Sequence, residues 1–240
     1  MSPNGEPLLR VEGLVKAFGG FQALNGVGFH VDAGEVLGLV GPNGSGKTTC
    51  INVISGLYPP TFGRVIFESR DVSSLPSHKL VHKGIARTFQ VPKPFMTLTV
   101  RENIEVAAAF GGRKQANIGA LLAAVDLEGF ASKPASELNS VQQKMLDLGR
   151  ALATSPRLLC VDELAAGLSL QELDRMAEKL RALAAGGMGL LVVEHLMSFI
   201  DKVTDRVIVM NAGKEIFEGR LAEAIRDPRV IEVYFGAEHD

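Results

Sequence analysis

The sequence has only two cysteines, Cys50 and Cys160, among its 240 residues. Each lies in an apolar run, which points to buried thiols rather than a disulfide or a Cys-rich metal site. No stretch approaches the roughly 18–20 uninterrupted apolar residues needed to cross a bilayer. The opening residues Met1, Ser2, Pro3, Asn4, Gly5, Glu6 and Pro7 carry neither the basic nor the apolar region of a signal peptide. A role in a membrane process would therefore be served from the cytosol, by an attached part. Neither sign of charge dominates: 25 Lys and Arg against 27 Asp and Glu leave a net charge of −2, so no overall basic field recruits nucleic acid. Internal repeats, low-complexity tracts and an obvious linker are missing too. What remains is 46% apolar and 22% charged, the profile of an ordinary globular protein long enough for one large α/β domain or two small ones sharing a core.

Residues 8–14 and 26–40 read as strands, split by Phe18, Gly19 and Gly20 and by a turn at Asp32, Ala33 and Gly34. From Lys47 the pattern turns helical, with Ile51, Val53, Ile54 and Leu57 as the buried side, until Pro59 and Pro60 stop it. Short strands are expected near 63–68 and 84–90. Residues 100–155 are mostly helical in pattern, interrupted at Gly111 and Gly112. Compact apolar runs at 157–162 and 189–194 suit strands covered on both faces, and the helical segment 170–184 between them suits a parallel crossover. Residues 206–218 read as a hairpin around Asn211, Ala212 and Gly213, and 220–235 as helix broken at Pro228. The expectation is an α/β core interrupted by one helical insert.

Gly41, Pro42, Asn43, Gly44, Ser45, Gly46, Lys47 and Thr48 fit the phosphate-loop pattern G-x-x-x-x-G-K-[ST], placed after a strand and before a helix. The glycines let backbone N–H groups curl around a phosphate, and the new helix adds the positive end of its dipole. Lys47 supplies charge to the β- and γ-phosphates, and the Thr48 hydroxyl can ligate Mg²⁺. A Gly-rich turn that happens to carry Lys and Thr would lack this flanking context. The strand Leu158, Leu159, Cys160, Val161 ends in Asp162 and Glu163. An acidic pair there can simply cap a helix. Downstream of a phosphate loop, Asp162 suits a Mg²⁺ ligand and Glu163 a group that polarises the attacking water. No Asn-Lys-x-Asp guanine reader is present.

With these features in order, the chain resembles an ABC-type ATPase from end to end. The resemblance implies a phosphate-loop ATPase core with a mixed sheet, an antiparallel β region and a helical insert. It implies one domain over residues 1–240, with a helical subdomain at about 98–155. Gln90 falls where the family has its Mg²⁺-contacting glutamine, His195 matches the switch histidine that reaches the γ-phosphate, and Phe18 lies where an aromatic stacks on adenine. Read alone, His195 could be structural and Phe18 core. Mg-ATP would sit on residues 41–49, Thr49 included. Gly84 to Gln90, the run Val100, Arg101, Glu102, Asn103, Ile104, the segment from Asp162 to Ser169, and the ending Val230, Ile231, Glu232, Val233, Tyr234, Phe235, Gly236 look like the branched-chain amino-acid uptake branch. Importers of amides, urea or aromatic acids would look alike.

The family binds ATP between two subunits, each phosphate loop meeting the other subunit's signature segment, usually Leu-Ser-Gly-Gly-Gln. Here that segment reads Leu138, Asn139, Ser140, Val141, Gln142. Asn139, Ser140 and Gln142 are the candidate nucleotide contacts. Val141, in place of a glycine, should obstruct close approach to phosphate. Asn139 or Ser140 also suits the cap of a helix through Met145, Leu148 and Leu152. Leu164 stands for the usual proline and Ser169 for the usual Asp or Asn. The resemblance implies a second ABC ATPase subunit, two membrane permease subunits contacted around residues 90–104, an extracytoplasmic binding protein, and a peripheral place on the cytoplasmic face of the membrane. A soluble ABC-type ATPase of translation or repair, and a non-catalytic ATP-binding regulatory subunit, stay open as alternatives.

Overall fold

Successive side chains of a strand point to opposite faces, and the central strands of this chain bury both. In the computed structural model, which describes residues 5–111 and 116–235, Leu37 and Leu39 join one hydrophobic core while Val36 and Val40 join another. The same division separates Leu158 and Cys160 from Leu159 and Val161, and Leu191 and Val193 from Leu190 and Val192. A sheet apolar on both faces needs a layer on each side.

In chain order the elements are β1 (Leu9–Phe18), β2 (Phe21–Val31), β3 (Val36–Val40), α1 (Lys47–Ile54), β4 (Phe62–Phe67), β5 (Arg70–Asp71), α2 (Ser77–Lys83) and β6 (Ile85–Arg87). Then come α3 (Val100–Phe110), α4 (Ile118–Ala124), α5 (Ser140–Ala153), β7 (Leu158–Asp162), α6 (Leu170–Ala185) and β8 (Gly189–Val193). The chain finishes with α7 (Met197–Val203), β9 (Arg206–Asn211), β10 (Lys214–Gly219), α8 (Leu221–Ala224) and α9 (Pro228–Phe235). A six-stranded sheet in the order β10-β9-β3-β8-β7-β6 is parallel except for its edge strand β10, and a four-stranded antiparallel sheet runs β2-β1-β4-β5. Between them lies α1, whose Cys50, Ile51, Val53 and Ile54 are buried in one cluster with Leu9, Val11 and Leu24 and with Leu37 and Leu39. The opposite face carries α3, α5, α6 and α7, through residues such as Ile104, Leu146, Leu180 and Phe199. No helix among the described residues is long and apolar enough to cross a membrane.

The two cysteines are free and fully buried, as their apolar runs required. Burial pushes the Cys160 thiol up to about 12 and that of Cys50 up as well. The hairpin turn at Ala212 and Gly213 has positive φ at both residues, 46° and 76°, which matches the twist of the strands it joins. Two expectations are corrected. Leu57 is not on the buried side of α1: the helix ends at Ile54, the chain reverses through Gly56 at φ 70°, and Leu57 is 51% exposed. The strand near 84–90 stops at Arg87, so Gln90 does not end it. The Phe89 amide leaves the ladder to donate to Asp147 Oδ2 at 2.8 Å, and the chain bends away from β7. Gly112 and Gly236, named above, lie outside the described residues.

Candidate functional site

Residues 41–48 leave β3 and turn into α1 as a loop moulded by its neighbours. Gly41 has φ 147°, and a Cβ there would stand 2.2 Å from the Met210 carbonyl oxygen; at Gly46, φ 108°, it would stand 2.7 Å from that of Ala23. Only glycine fits either position. The Gly213 amide donates to the Ser45 carbonyl at 2.9 Å, fixing the loop to the β9–β10 turn. No side chain caps α1, whose N-cap is Gly46. The first-turn amides thus stay available to an anion. Asn43, Gly44 and Thr48 are exposed and Thr49 half-buried. Lys47 is buried, and its Nζ donates to the carbonyls of Gly41 (2.7 Å) and Pro42 (2.9 Å). Burial holds its pKa below the ordinary lysine value, against the pull of Glu163 and Asp162. Phe18 ends β1, 43% exposed and edge-on to Tyr58, with the Lys16 ammonium 5.0 Å from its ring centre. Lys16 pairs with Leu24, beside the Ala23 carbonyl that abuts Gly46. The tip of this hairpin therefore stands at the loop.

Two strands away, β7 delivers the acidic pair. Glu163 has φ 49°, a left-handed conformation that costs a non-glycine residue of order 1–3 kcal/mol and persists only where its surroundings impose it. They do so on every side. Its amide donates to the Val193 carbonyl at 2.9 Å. Gln90 Nε2 donates to one carboxylate oxygen at 2.5 Å and His195 Nε2 to the other at 2.7 Å. Gln90, Glu163 and His195, from three separate segments, thus meet at one carboxylate. Asp162 is 2% exposed and its Oδ1 has no hydrogen-bond partner. Burial raises its pKa, opposed first by the guanidinium of Arg87.

These residues fit magnesium and a nucleotide phosphate. Ser45 Oγ and Asp162 Oδ1 are both buried without partners, and such groups are rare unless something else satisfies them. Among the described residues no cluster of three or more His, Cys, Asp or Glu could hold a metal alone.

The sequence profile of the family described as ABC transporter matches residues 24–166, which span the loop and the acidic pair. The chain belongs to the ABC transporter family. It is 36% identical over 250 residues to a probable branched-chain amino acid transport ATP-binding protein, LivG, of Methanocaldococcus jannaschii, covering 95% of this chain and 97% of that one. It is also 36% identical to the high-affinity branched-chain amino acid transport ATP-binding protein BraF of Pseudomonas aeruginosa, covering 96% and 98%. Among solved structures, a nucleotide-free ATP-binding cassette from an ABC transporter superposes with a TM-score of 0.87 at 34% identity, covering 96% of this chain and 100% of that one. A dimeric post-hydrolysis cassette bound to ADP and Pi gives 0.80 at 25% identity, covering 89% and 98%.

In this ABC-family chain residues 138–142, the expected signature segment, form a capped helix start. Asn139 caps α5: its Oδ1 accepts from the Gln142 amide at 2.8 Å, and Gln142 Oε1 accepts from the Asn139 amide at 3.0 Å. Ser140 is exposed. Val141 lines a cavity of about 170 Å³ with Met145, Leu168 and Met176. Among the described residues no hydrogen bond joins 138–142 to the loop 41–49. Leu164 is buried in the core, and Ser169 caps α6 in a capping box with Glu172.

Four further charged residues at the site escaped the sequence reading. Arg87 donates to Asn52 Oδ1 (2.6 Å) on α1 and to Ser55 Oγ (3.1 Å) at its C-cap. Asp147, buried on α5, accepts from Phe89. Lys144 and Glu194 grip the segment after Glu163. The only signal was a charge inside an otherwise apolar run, as in Ile85-Ala86-Arg87 or Val192-Val193-Glu194.

Proposed function

We propose that this chain is the ATP-binding and ATP-hydrolysing subunit of a membrane importer for branched-chain amino acids or related small molecules. The observation that carries the reading is Glu163, set in a left-handed backbone between Gln90 and His195 and beside the loop of Lys47. Among relatives, the names LivG and BraF give the substrate class.

In this reading residues 1–240 act as one cassette with a helical subdomain at about 98–155. The loop residues Gly41, Asn43, Gly44, Ser45, Gly46, Lys47, Thr48 and Thr49 hold the phosphates of ATP, and Phe18 offers its exposed face to adenine. Thr48, Gln90 and Asp162 would hold Mg²⁺, which neutralises phosphate charge when bound. Lys47 exchanges its two loop carbonyls for phosphate oxygens. Glu163, freed from Gln90 and His195, accepts the proton of the attacking water, while His195 reaches the γ-phosphate and holds it in place. A second ABC subunit supplies the facing signature segment. Permease subunits meet a cavity of about 250 Å³ lined by Leu57, Val81, Phe89, Ala107 and Ala151. Val91, Phe95 and Met96, in the segment that follows Gln90, are exposed, and Arg150, which also lines the cavity, lies 5.4 Å over the Phe95 ring. Motion of Gln90 thereby reaches the membrane subunits. The chain works peripherally at the cytoplasmic face, with an extracytoplasmic binding protein delivering the substrate.

The test is reconstitution of the chain with its partner ATPase, permeases and binding protein in vesicles. ATP-dependent uptake of labelled leucine, isoleucine or valine, lost in Glu163→Gln, is the expected result. ATP turnover at the same rate without any membrane subunit, and no uptake, would overturn the transporter assignment.

A further inference from the structure

The four residues after the acidic strand are held from two sides by charges that the hydrolysis scheme above does not use. Lys144, on α5, points its Nζ at three backbone carbonyls: Glu163 (3.1 Å), Leu164 (3.4 Å) and Ala166 (2.7 Å). Three acceptors use up the donors of an ammonium group. From the other side Glu194, 3% exposed at the end of β8, takes the Ala165 amide on Oε1 at 2.6 Å. The two side chains attract one another through the segment between them. Positive charge lies on its carbonyls and negative charge on its amide, so both ends suit the peptide dipoles they touch.

Both groups give up water to do this. Burial lowers the pKa of Lys144 and raises that of Glu194. Leu164 and Ala165 are 2% and 3% exposed, so the backbone atoms of this turn have little access to solvent, and Lys144 and Glu194 supply partners for them. What the pair does is fix backbone torsions next to the left-handed φ of Glu163. Gln90 and His195 hold only the Glu163 side chain, whereas Lys144 holds its carbonyl.

Lys144 also sits five residues after the N-cap Asn139, about 7.5 Å along the same helix. The reciprocal Asn139–Gln142 bonds keep that first turn rigid. The start of α5 and the backbone of Glu163 are therefore joined by one stretch of helix and one side chain.

We propose that Lys144 and Glu194 are positioning residues that clamp residues 163–166, hold Glu163 in its left-handed conformation, and tie it mechanically to the signature segment of its own subunit. Through this tie, engagement of that segment by the partner subunit's nucleotide reaches the catalytic carboxylate of the opposite site. The proposal rests on the reading of Glu163 as the group that polarises water.

The experiment combines hydrogen exchange on the nucleotide-free full chain with kinetics of the reconstituted transporter. In Lys144→Met and in Glu194→Gln the amides of residues 163–166 should exchange about tenfold faster, as loss of a charge-assisted bond implies, while those of β7 and α1 keep their wild-type rates. In the transporter kcat should fall about tenfold or more with ATP affinity changed less than about twofold, and Lys144→Arg should restore most of it. The double variant should lose less than the product of the single losses. Unchanged exchange at 163–166 overturns the clamp, as does a parallel fall in kcat, ATP affinity and Tm, which would mark ordinary structural support. Undiminished turnover in Glu163→Gln would instead refute the role of Glu163, with the exchange result left standing. Should Lys144→Met fail to fold, Lys144→Gln carries the same test.

Discussion

Arg87 Nη2 lies 3.4 Å from Asp162 Oδ2, and this pair, 12% and 1% exposed at its side chains, joins β6 to the carboxylate proposed to hold magnesium. The same guanidinium reaches Asn52 on α1 and Ser55 at its C-cap, and stacks 4.7 Å over the ring of Phe89. One cation thus ties the acidic strand, the helix of the phosphate loop and the approach to Gln90. Its attraction for Asp162 is outweighed by burial, since the carboxyl stays above its ordinary pKa.

Removing the charge of Asp162 should therefore stabilise the nucleotide-free chain. A carboxyl whose folded pKa is raised costs stability while ionised, and that cost is relieved as pH falls through the folded value toward the unfolded one. Asp162→Asn should melt above wild type at pH 7, and the gap should narrow on acidification toward about pH 4. Arg87→Met should move the other way, losing about 3–5 kcal/mol by leaving a buried carboxylate unpaired. Thermal melts of the three proteins across pH decide it; a lower Tm for Asp162→Asn at pH 7 would show that Arg87 overcomes burial after all.

Lys47→Ala should weaken Mg-ATP binding about 10- to 150-fold, the worth of one hydrogen bond to a charged group. The Gly41 and Pro42 carbonyls that Lys47 occupies are loop backbone and find water in its place. The fold should thus survive, and calorimetric titration isolates the binding effect. Unchanged affinity would dissociate Lys47 from phosphate.

Glu163→Gln keeps the shape of the side chain and removes its basicity. ATP binding should persist, phosphate release should stop, and an ATP-stabilised dimer should accumulate, visible by size-exclusion chromatography. Normal turnover per site would mean that another group serves as base.

Val141 sets the last expectation. We expect a weakened site wherever residues 138–142 of this chain face a nucleotide, so the chain paired with itself should hydrolyse ATP poorly. Val141→Gly should raise that rate about tenfold if it restores one charge-assisted phosphate contact. The variant should also lose about 0.5 kcal/mol of stability, since Gly is a slightly poorer helix former than Val, and it removes one wall of the cavity shared with Leu168 and Met176. In the mixed assembly Glu163→Gln should do more damage than the equivalent change in the partner. Rapid turnover by the wild-type chain alone, indifferent to Val141→Gly, would show that Asn139 and Ser140 present their donors well enough.

The sequence by itself determined the features whose physics is local. Residues 41–48 read as a phosphate loop because consecutive backbone amides and one lysine suffice for the pattern, and the structure gives the segment the glycine-only turns that the pattern implies. The run 158–163 announces its acidic end because an apolar strand must stop where charge begins. The Asn139–Gln142 capping box was half legible in the same way, as was the break before Pro228. Tertiary structure decided everything that depends on which strands lie side by side. Strand order places β7 between β6 and β8, and only that order brings Gln90 and His195 to Glu163 across 73 and 32 residues. It also turned Gln90 out of its strand by offering Asp147 to the Phe89 amide. Arg87, Lys144 and Glu194 left no periodic or motif signal. Their partners are single carboxylates or backbone atoms on distant segments, and a contact of that kind exists only after the sheets and helices have packed.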